Sequence, residues 1–462
     1  MKKYWKRNHI FITLLSFFAI VICIYLSEAT ANVPVMDYWR YISRLANKMY
    51  TSGLSFSDVY NNNGVHHSPI QLILFGLNVK IFHLNTLVEI YLGAIVFCIS
   101  LIPIYNWYCK HVNRNNKLYW PFIICLMISF FSLSQWEILT LEFSLAFAIR
   151  QLMYVLCFLF TEKMLRNDEV YGKYAIDLAF VYIIVICSNS AYFVAFGAAL
   201  SLIIIFDFLS NTKENRKKYL LQYIILGGGM FLGLILYYCL GNKESRGAAT
   251  LGIPKIQEII KGVLYIFGSS AVGDNSNHKF ILILGGMAIV LTVVCVTLYF
   301  KEHIYQETYF PIVLLAYGFF QIISIMIGRV GAYSAEYLIS SRYSFDTKWI
   351  LVADICIVAI WISRKDKNIT VLTHDRLKIL TIVICLCFIL IGILANNRNE
   401  KSIAPYRKQY FNNMIEKMIK TETLSDNDLT DFQADPNDVR EGINLMKKYK
   451  LGIFSNIKTS EE

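Results

Sequence analysis

The chain has 462 residues, of which 56% are hydrophobic and only 17% charged, and it carries a net charge of +11. So little charge cannot cover the surface of a water-soluble protein of this length, so the composition excludes an ordinary soluble globular domain and indicates a polytopic membrane protein. The basic excess lies in short loops between apolar runs, where it reports topology rather than nucleic-acid binding.

The start, MKKYWKRNHI followed by apolar residues to Leu26, reads as a first span. Ala29, Thr30 and Ala31 imitate a cleavage site, but the run is long enough to cross a bilayer by itself, and the loop after it lies outside on either reading. Apolar windows follow at 87–108, 119–135, 144–160, 174–190, 191–209, 219–240, 279–300, 309–327, 345–362 and 377–395. With the first window at 10–27 they predict about eleven transmembrane helices and an all-α polytopic fold. With the N-terminus in the cytoplasm, the loops CKHVNRNNK, TEKMLRNDEVYGK, SNTKENRKK, the one at Lys301 and SRKDKNITVLTHDRLK fall inside, and all are rich in Lys and Arg. Pro69–Phe82 is apolar but short and carries Asn78 and Lys80. Counting it as a span would put the basic loops outside, so it is expected to be re-entrant or interfacial.

Residues 1–395 are therefore expected to form a transmembrane domain and 396–462 an extracytoplasmic tail of two short helices, 405–421 and 436–449. Within the outer loop 28–68, Met36–Tyr50 sets Tyr38, Ile42, Leu45 and Met49 against Asp37, Arg40, Arg44 and Lys48, which predicts an interfacial helix in the headgroup plane. Pro254–Phe267 repeats the device, with Gly268 as its stop. The eleven cysteines lie in or at the ends of apolar spans, so neither a disulfide framework nor a zinc spacing is present.

Charges close to the membrane are the informative ones, because each is costly unless paired or hydrated. Asp37, just past the first span, is placed to act as a general base toward an acceptor hydroxyl, or to sit at a helix start beside Arg40. His66 and His67 close the same loop; substrate hydrogen bonding, a plain interfacial role and metal binding all stand, and no strong ligand spacing accompanies them. The outer stretch SQWEILTLEFS brings Trp136, Glu137 and Glu142 to the same side, and Arg150, inside the fourth span, needs a partner such as Glu142 or a phosphate. Arg329, Glu336, Arg342 and Tyr343 stand in another outer segment, against the positive-inside trend, where a guanidinium can fork onto a phosphate or snorkel to headgroups. There is no Walker loop, GxGxxG, GxSxG or HExxH, so no site for a soluble nucleotide is expected, and if a sugar is transferred its donor must be lipid-borne.

Asp37 in the first outer loop, the closing His66-His67-Ser68-Pro69, Gln135-Trp136-Glu137, the Gly328-Arg329 to Ser341-Arg342-Tyr343 segment and the terminal KKYKLGIFSN together resemble bacterial multispan glycosyltransferases of the GT-C superfamily. The resemblance covers most of the chain with short motifs. It implies a polyprenyl-phosphate sugar donor, inversion at the anomeric carbon, Asp37 as catalytic base, and Arg329 and Arg342 on the donor phosphate. His66, His67, Glu137 and Tyr343 would complete the substrate site. Many relatives carry a second acidic residue beside the base; Met36 and Tyr38 stand there instead, which argues against a shared metal site. No metal ligand is assigned, and participation of a divalent metal ion is left open. The expected partners are the lipid-linked donor, a cell-envelope glycan acceptor and the bilayer, with no nucleic acid. A lipid-linked oligosaccharide flippase or other transporter, and a polysaccharide polymerase or ligase, are the rival readings; the first predicts charges deep in several spans.

Overall fold

A computed structural model describes residues 2–60, 69–166, 192–239, 255–274, 276–330, 333–365, 376–420 and 424–456, with positions 179 and 183. All regular structure among these residues is helical. Eight of the helices are long and apolar enough to cross a membrane. They include Asn8–Ala29, Thr86–His111, Ser144–Arg166, His278–Lys301, Phe310–Arg329 and the first part of the 44-residue Arg376–Ile419. The expected spans at 219–240 and 345–362 are helical as Leu220–Cys239 and Ser341–Lys365, while 174–190 falls outside the described residues apart from 179 and 183.

The bundle is built around Ser341–Lys365. This helix packs on Phe310–Arg329, His278–Lys301 and Tyr119–Phe130, and its stretch from Tyr343 to Trp361 is buried throughout. It carries Arg342, Asp346, Lys348 and Asp354, so its neighbours have to answer its charges. Arg150 reaches both carboxylate oxygens of Asp346, at 2.9 and 3.1 Å, and Tyr317 donates to the same group at 2.9 Å. The partner of Arg150 is thus Asp346; Glu142 instead accepts the backbone N–H of Val35 at 3.1 Å. Lys348 donates to Gln135 at 2.6 Å and lies against the faces of Phe97, Phe130 and Phe345 at 4.2–4.7 Å. Asp354 accepts from Thr292 at 2.7 Å.

The connections separate into two ends. At one end Asn32 accepts from the N–H of Thr86, Asn396 accepts from Gly273, Asn397 accepts from Leu133, and Lys408 donates to the carbonyl of Ser27. At the other, Arg166 donates to the carbonyls of Tyr305 and Gln306, Trp107 donates to Thr308, and Arg364 pairs with Glu307 at 2.8 Å. The first we call the cap end, the second the basic end.

A second, smaller core forms the cap. Tyr38–Tyr41, a π-helical turn Ile42–Ala46 and Asn47–Thr51 run on as one helical stretch. Its apolar face does not lie on a bilayer as the amphipathic pattern suggests: Tyr38, Ile42 and Leu45 are buried with Leu72, Phe75 and Val79 of Pro69–Phe82 and with Val439, Ile443 and Met446 of Pro436–Lys448. Trp39 is fully buried against Gly442, where a Cβ would sit 2.8 Å from the indole, and edge-on to Phe432. Ser43 donates to Asp438 at 2.8 Å and Tyr449 to Asn47 at 2.6 Å. A pattern that suits an interface suits a protein groove equally, and here the chain supplies its own groove.

One further expectation is corrected. The tail does not begin with a separate helix at 405, because Arg376–Ile419 is continuous and takes Pro405 into its interior. Buried Asn396 ties that continuation to the cap end by accepting from Gly273, and buried Glu400 pairs with Arg407 within the same helix, across Pro405. Gly268 stands in the last turn of its helix, which runs from Ile256 to Ser269 and so ends within one residue of the expected stop. Gly268 is needed for close approach, since a Cβ there would lie 2.1 Å from the carbonyl oxygen of Ile281. Pro254 lies outside the described residues.

The expected consequence for Trp39→Ala is loss of about 3–5 kcal/mol of cap packing. Limited proteolysis of the detergent-purified protein should then release the 424–456 segment much faster than from the wild type; unchanged cleavage would show that Trp39 does not hold the cap.

Candidate functional site

Two cavities adjoin where cap and bundle meet. The larger, 490 Å³, is lined by Val35, Met36, Trp136, Glu137, Asp274, Arg342, Arg407 and Tyr410, with Ser340, Tyr406 and Gln433 among the rest of its wall. The smaller, 310 Å³, contains Asp37, Arg40, Thr430, Asp435 and Asp438. Met36 and Gln433 belong to both. Each of these two has a left-handed backbone, with φ of 53° and 52°, an uncommon conformation for residues that bear a side chain.

Local structure explains how the larger cavity is furnished. Ser132 caps a 3-10 turn, Leu133–Gln135, by accepting from the N–H of Ser134, and the short helix Trp136–Thr140 follows. This brings Glu137 under the start of Ser341–Lys365, where Arg342 approaches it at 2.6 Å and Ser341 and Ser340 donate at 3.2 and 3.4 Å. The Glu137 side chain is 8% exposed and that of Arg342 35%, and both line the cavity. Arg407 lies flat on Trp136, 3.2 Å from the ring centroid, and its charge is met by buried Glu400 at 2.7 Å. The Trp136 indole N–H points to Asp274 at 3.4 Å. Guanidinium groups, carboxylates and aromatic rings thus share one open cleft, a set that suits an anion attached to a sugar.

Asp37 occupies the N-cap position of Tyr38–Tyr41 but its side chain caps nothing. It stands 3.8 Å from Arg40, about half exposed, in the smaller cavity. The other carboxylates there have structural tasks: Asp435 caps Pro436–Lys448 through the N–H of Asn437, and Asp438 accepts from Ser43. Among the described residues no group of three or more His, Cys, Asp or Glu is arranged to hold a metal ion.

Of the residues singled out by sequence, Glu137 and Arg342 meet in the cleft and Asp37 lines the adjoining cavity. Arg329 stands apart, its guanidinium 5.9 and 5.8 Å from the rings of Tyr333 and Tyr337. Tyr343 is buried beside Tyr337. Glu336, from the same outer segment, pairs with Lys261 at 3.0 Å. His66 and His67 lie outside the described residues. Sequence reasoning did not single out Arg407, Tyr406, Tyr410 and Asp274. The signal for the first three was present in the spacing of Ile403, Tyr406, Arg407, Tyr410 and Phe411, which marks one helical face once the helix is carried through Pro405. Asp274, in a short turn, gave no comparable signal. Compared with known protein families, curated proteins and solved structures, the chain matches none.

Glu142 supports the cleft from behind, because it fixes Val35. Burial pushes its carboxyl from 4.5 up to about 8, opposed by the backbone N–H groups of Glu142 and Val35. Between those values the folded chain holds a proton that the unfolded chain has lost, so this group's contribution to stability falls as pH rises from about 4.5 to 8. Glu142→Gln keeps the acceptor oxygen and removes the titration. Its thermal unfolding midpoint, relative to wild type in the same detergent, should rise steadily between pH 5 and pH 8; a constant difference across that range would refute the assignment.

Proposed function

We propose that the chain is an integral-membrane glycosyltransferase that moves a sugar from a polyprenyl-phosphate donor to a cell-envelope glycan at the cap end of the bundle. The observation that carries this reading is the pair of adjoining cavities, one furnished for an anion and a sugar and the other polar and holding Asp37. The donor phosphate lies at Arg342 and Arg407, its sugar beside Tyr406 and Tyr410, and its lipid leaves along the bundle. The acceptor enters the smaller cavity and presents its hydroxyl at the boundary formed by Met36 and Gln433.

The reaction then needs only positioning and charge. The acceptor oxygen bonds to the anomeric carbon as the bond from that carbon to the phosphate oxygen breaks. The electron pair of the broken bond goes to the phosphate, where guanidinium charge stabilises it. The acceptor's proton passes to the Asp37 carboxylate, and attack from the side opposite the phosphate inverts the centre. No step calls on a soluble nucleotide.

Orientation follows from charge. The basic end gathers Lys110, Arg114, Lys117, Lys163, Arg166, Lys301 and Arg364, so the positive-inside rule sets it in the cytoplasm and the cap outside the cell membrane. The transporter reading draws on the charges inside the bundle. Arg150, Asp346, Lys348 and Asp354 each meet a partner on a neighbouring helix, which favours a structural role for them.

The test is the glycan of the native host, analysed by mass spectrometry at matched protein levels for Asp37→Asn, Asp274→Asn and Arg342→Gln. Asp37→Asn should lower transfer by about 10²-fold or more, whereas Asp274→Asn should keep most of it and Arg342→Gln should raise the donor concentration required. Full decoration by Asp37→Asn would remove it as base, and loss in Asp274→Asn alone would move that role to Asp274. A shortened main chain in place of a missing branch would make the enzyme a polymerase.

A further inference from the structure

A third cavity, 400 Å³, opens at the basic end between Leu101–His111 and Ser144–Arg166. Each helix contributes a stripe at helical spacing: Pro103, Asn106, Trp107 and Lys110 on one, and Leu156, Leu159, Phe160 and Lys163 on the other. Both stripes change character in the same direction. Deep in the bundle they are mostly apolar, and about 10 Å further along, seven residues on, they end in Lys110 and Lys163, with Arg166 one turn beyond Lys163.

The two carboxylates in the wall are already engaged. Glu162 accepts the N–H of Tyr309 at 2.9 Å and lies 3.7 Å from Arg166, and Glu307 pairs with Arg364 at 2.8 Å. No ion pair joins Lys110 to a carboxylate among the described residues, and Lys163 sits 5.2 Å from the Phe160 ring centroid. The groove therefore sets Lys110 and Lys163 at one end of an apolar floor. A free anion would make no use of that floor, whereas a phospholipid uses both parts.

We propose that this groove is a binding site for an anionic phospholipid of the leaflet at the basic end. Its phosphate lies at Lys110 and Lys163, and its first acyl methylenes lie against Pro103, Leu156 and Phe160; Arg166 is already held by Glu162 and the carbonyls of Tyr305 and Gln306. The site is distinct from the cavities at the cap end and does not depend on the transferase reading.

Native mass spectrometry of the full chain, released from detergent with equal dioleoylphosphatidylglycerol or dioleoylphosphatidylcholine, tests this. The wild type should retain the anionic lipid about tenfold more than the zwitterionic one, and Lys110→Gln with Lys163→Gln should bring the two close to parity. Equal retention by the wild type, or an undiminished preference in the double variant, would overturn the proposal. An arm on wild-type protein alone adds millimolar inorganic phosphate: persistence of the lipid adducts supports a lipid site, and their displacement shows a site for free anions. Leu156→Trp, which fills the floor, should lower retention of the anionic lipid while leaving the lysines in place; unchanged retention would also overturn the proposal.

Discussion

A charge inside a bilayer-thick bundle must be answered by a partner, and that requirement governs the Ser341–Lys365 helix and everything arranged around it. Its Asp346 is answered from Ser144–Arg166 and Phe310–Arg329, its Lys348 from the turn before Trp136, and its Asp354 from His278–Lys301. Four neighbours are thereby held at defined heights along one axis, because sliding any of them by a turn would strand a charge in apolar surroundings. Apolar packing alone sets no such register, since lipid tails and leucine side chains are nearly equivalent neighbours. With the lower part of the helix fixed in this way, its first turn presents Arg342 to Glu137 at one height only.

Polar residues of the cap end extend the same economy beyond the bundle. Glu400 and Asn396, buried in the long helix Arg376–Ile419, hold Arg407 and Gly273. The helix therefore leaves the bundle as a rigid post and presents Arg407, Tyr406 and Tyr410 above the cleft. The cap then closes from both ends of the chain: Met36 donates to the carbonyl of Phe432, and Gly452 to that of His83. Residues near 36 and near 440 share a core only because the spans between them return the chain to the same end.

The helical membrane architecture was legible from sequence because hydropathy is a long, redundant signal; a wrong residue or two does not erase a span. The segment Pro69–Phe82 is a 14-residue helix that packs in the cap core through Leu72, Phe75 and Val79. Single residues fared less evenly. Glu137 and Arg342 were named separately, but nothing in their spacing of more than 200 positions announces a 2.6 Å contact. Arg150 was known to need a partner, yet Glu142, eight residues away, was a nearer guess than Asp346, because sequence distance says little about neighbours in a bundle. The amphipathic stripe through Tyr38, Ile42 and Leu45 was read correctly as a face and wrongly as a lipid face. Hydrophobic periodicity records that something apolar covers a helix, not whether that cover is lipid or protein. The post through Pro405 was hidden because proline usually ends a helix, and the polar anchors that carry it past that point are visible only in three dimensions.

The two cap cavities share Met36 and Gln433 in their walls, and both residues are bent into the left-handed region. They come from opposite ends of the chain, so no single segment owns this partition; it exists only when the terminal fold is seated on the first loop. Unseating the tail therefore does more than expose surface: it merges two compartments into one. A copy in which the tail is not seated on the first loop therefore lacks this partition.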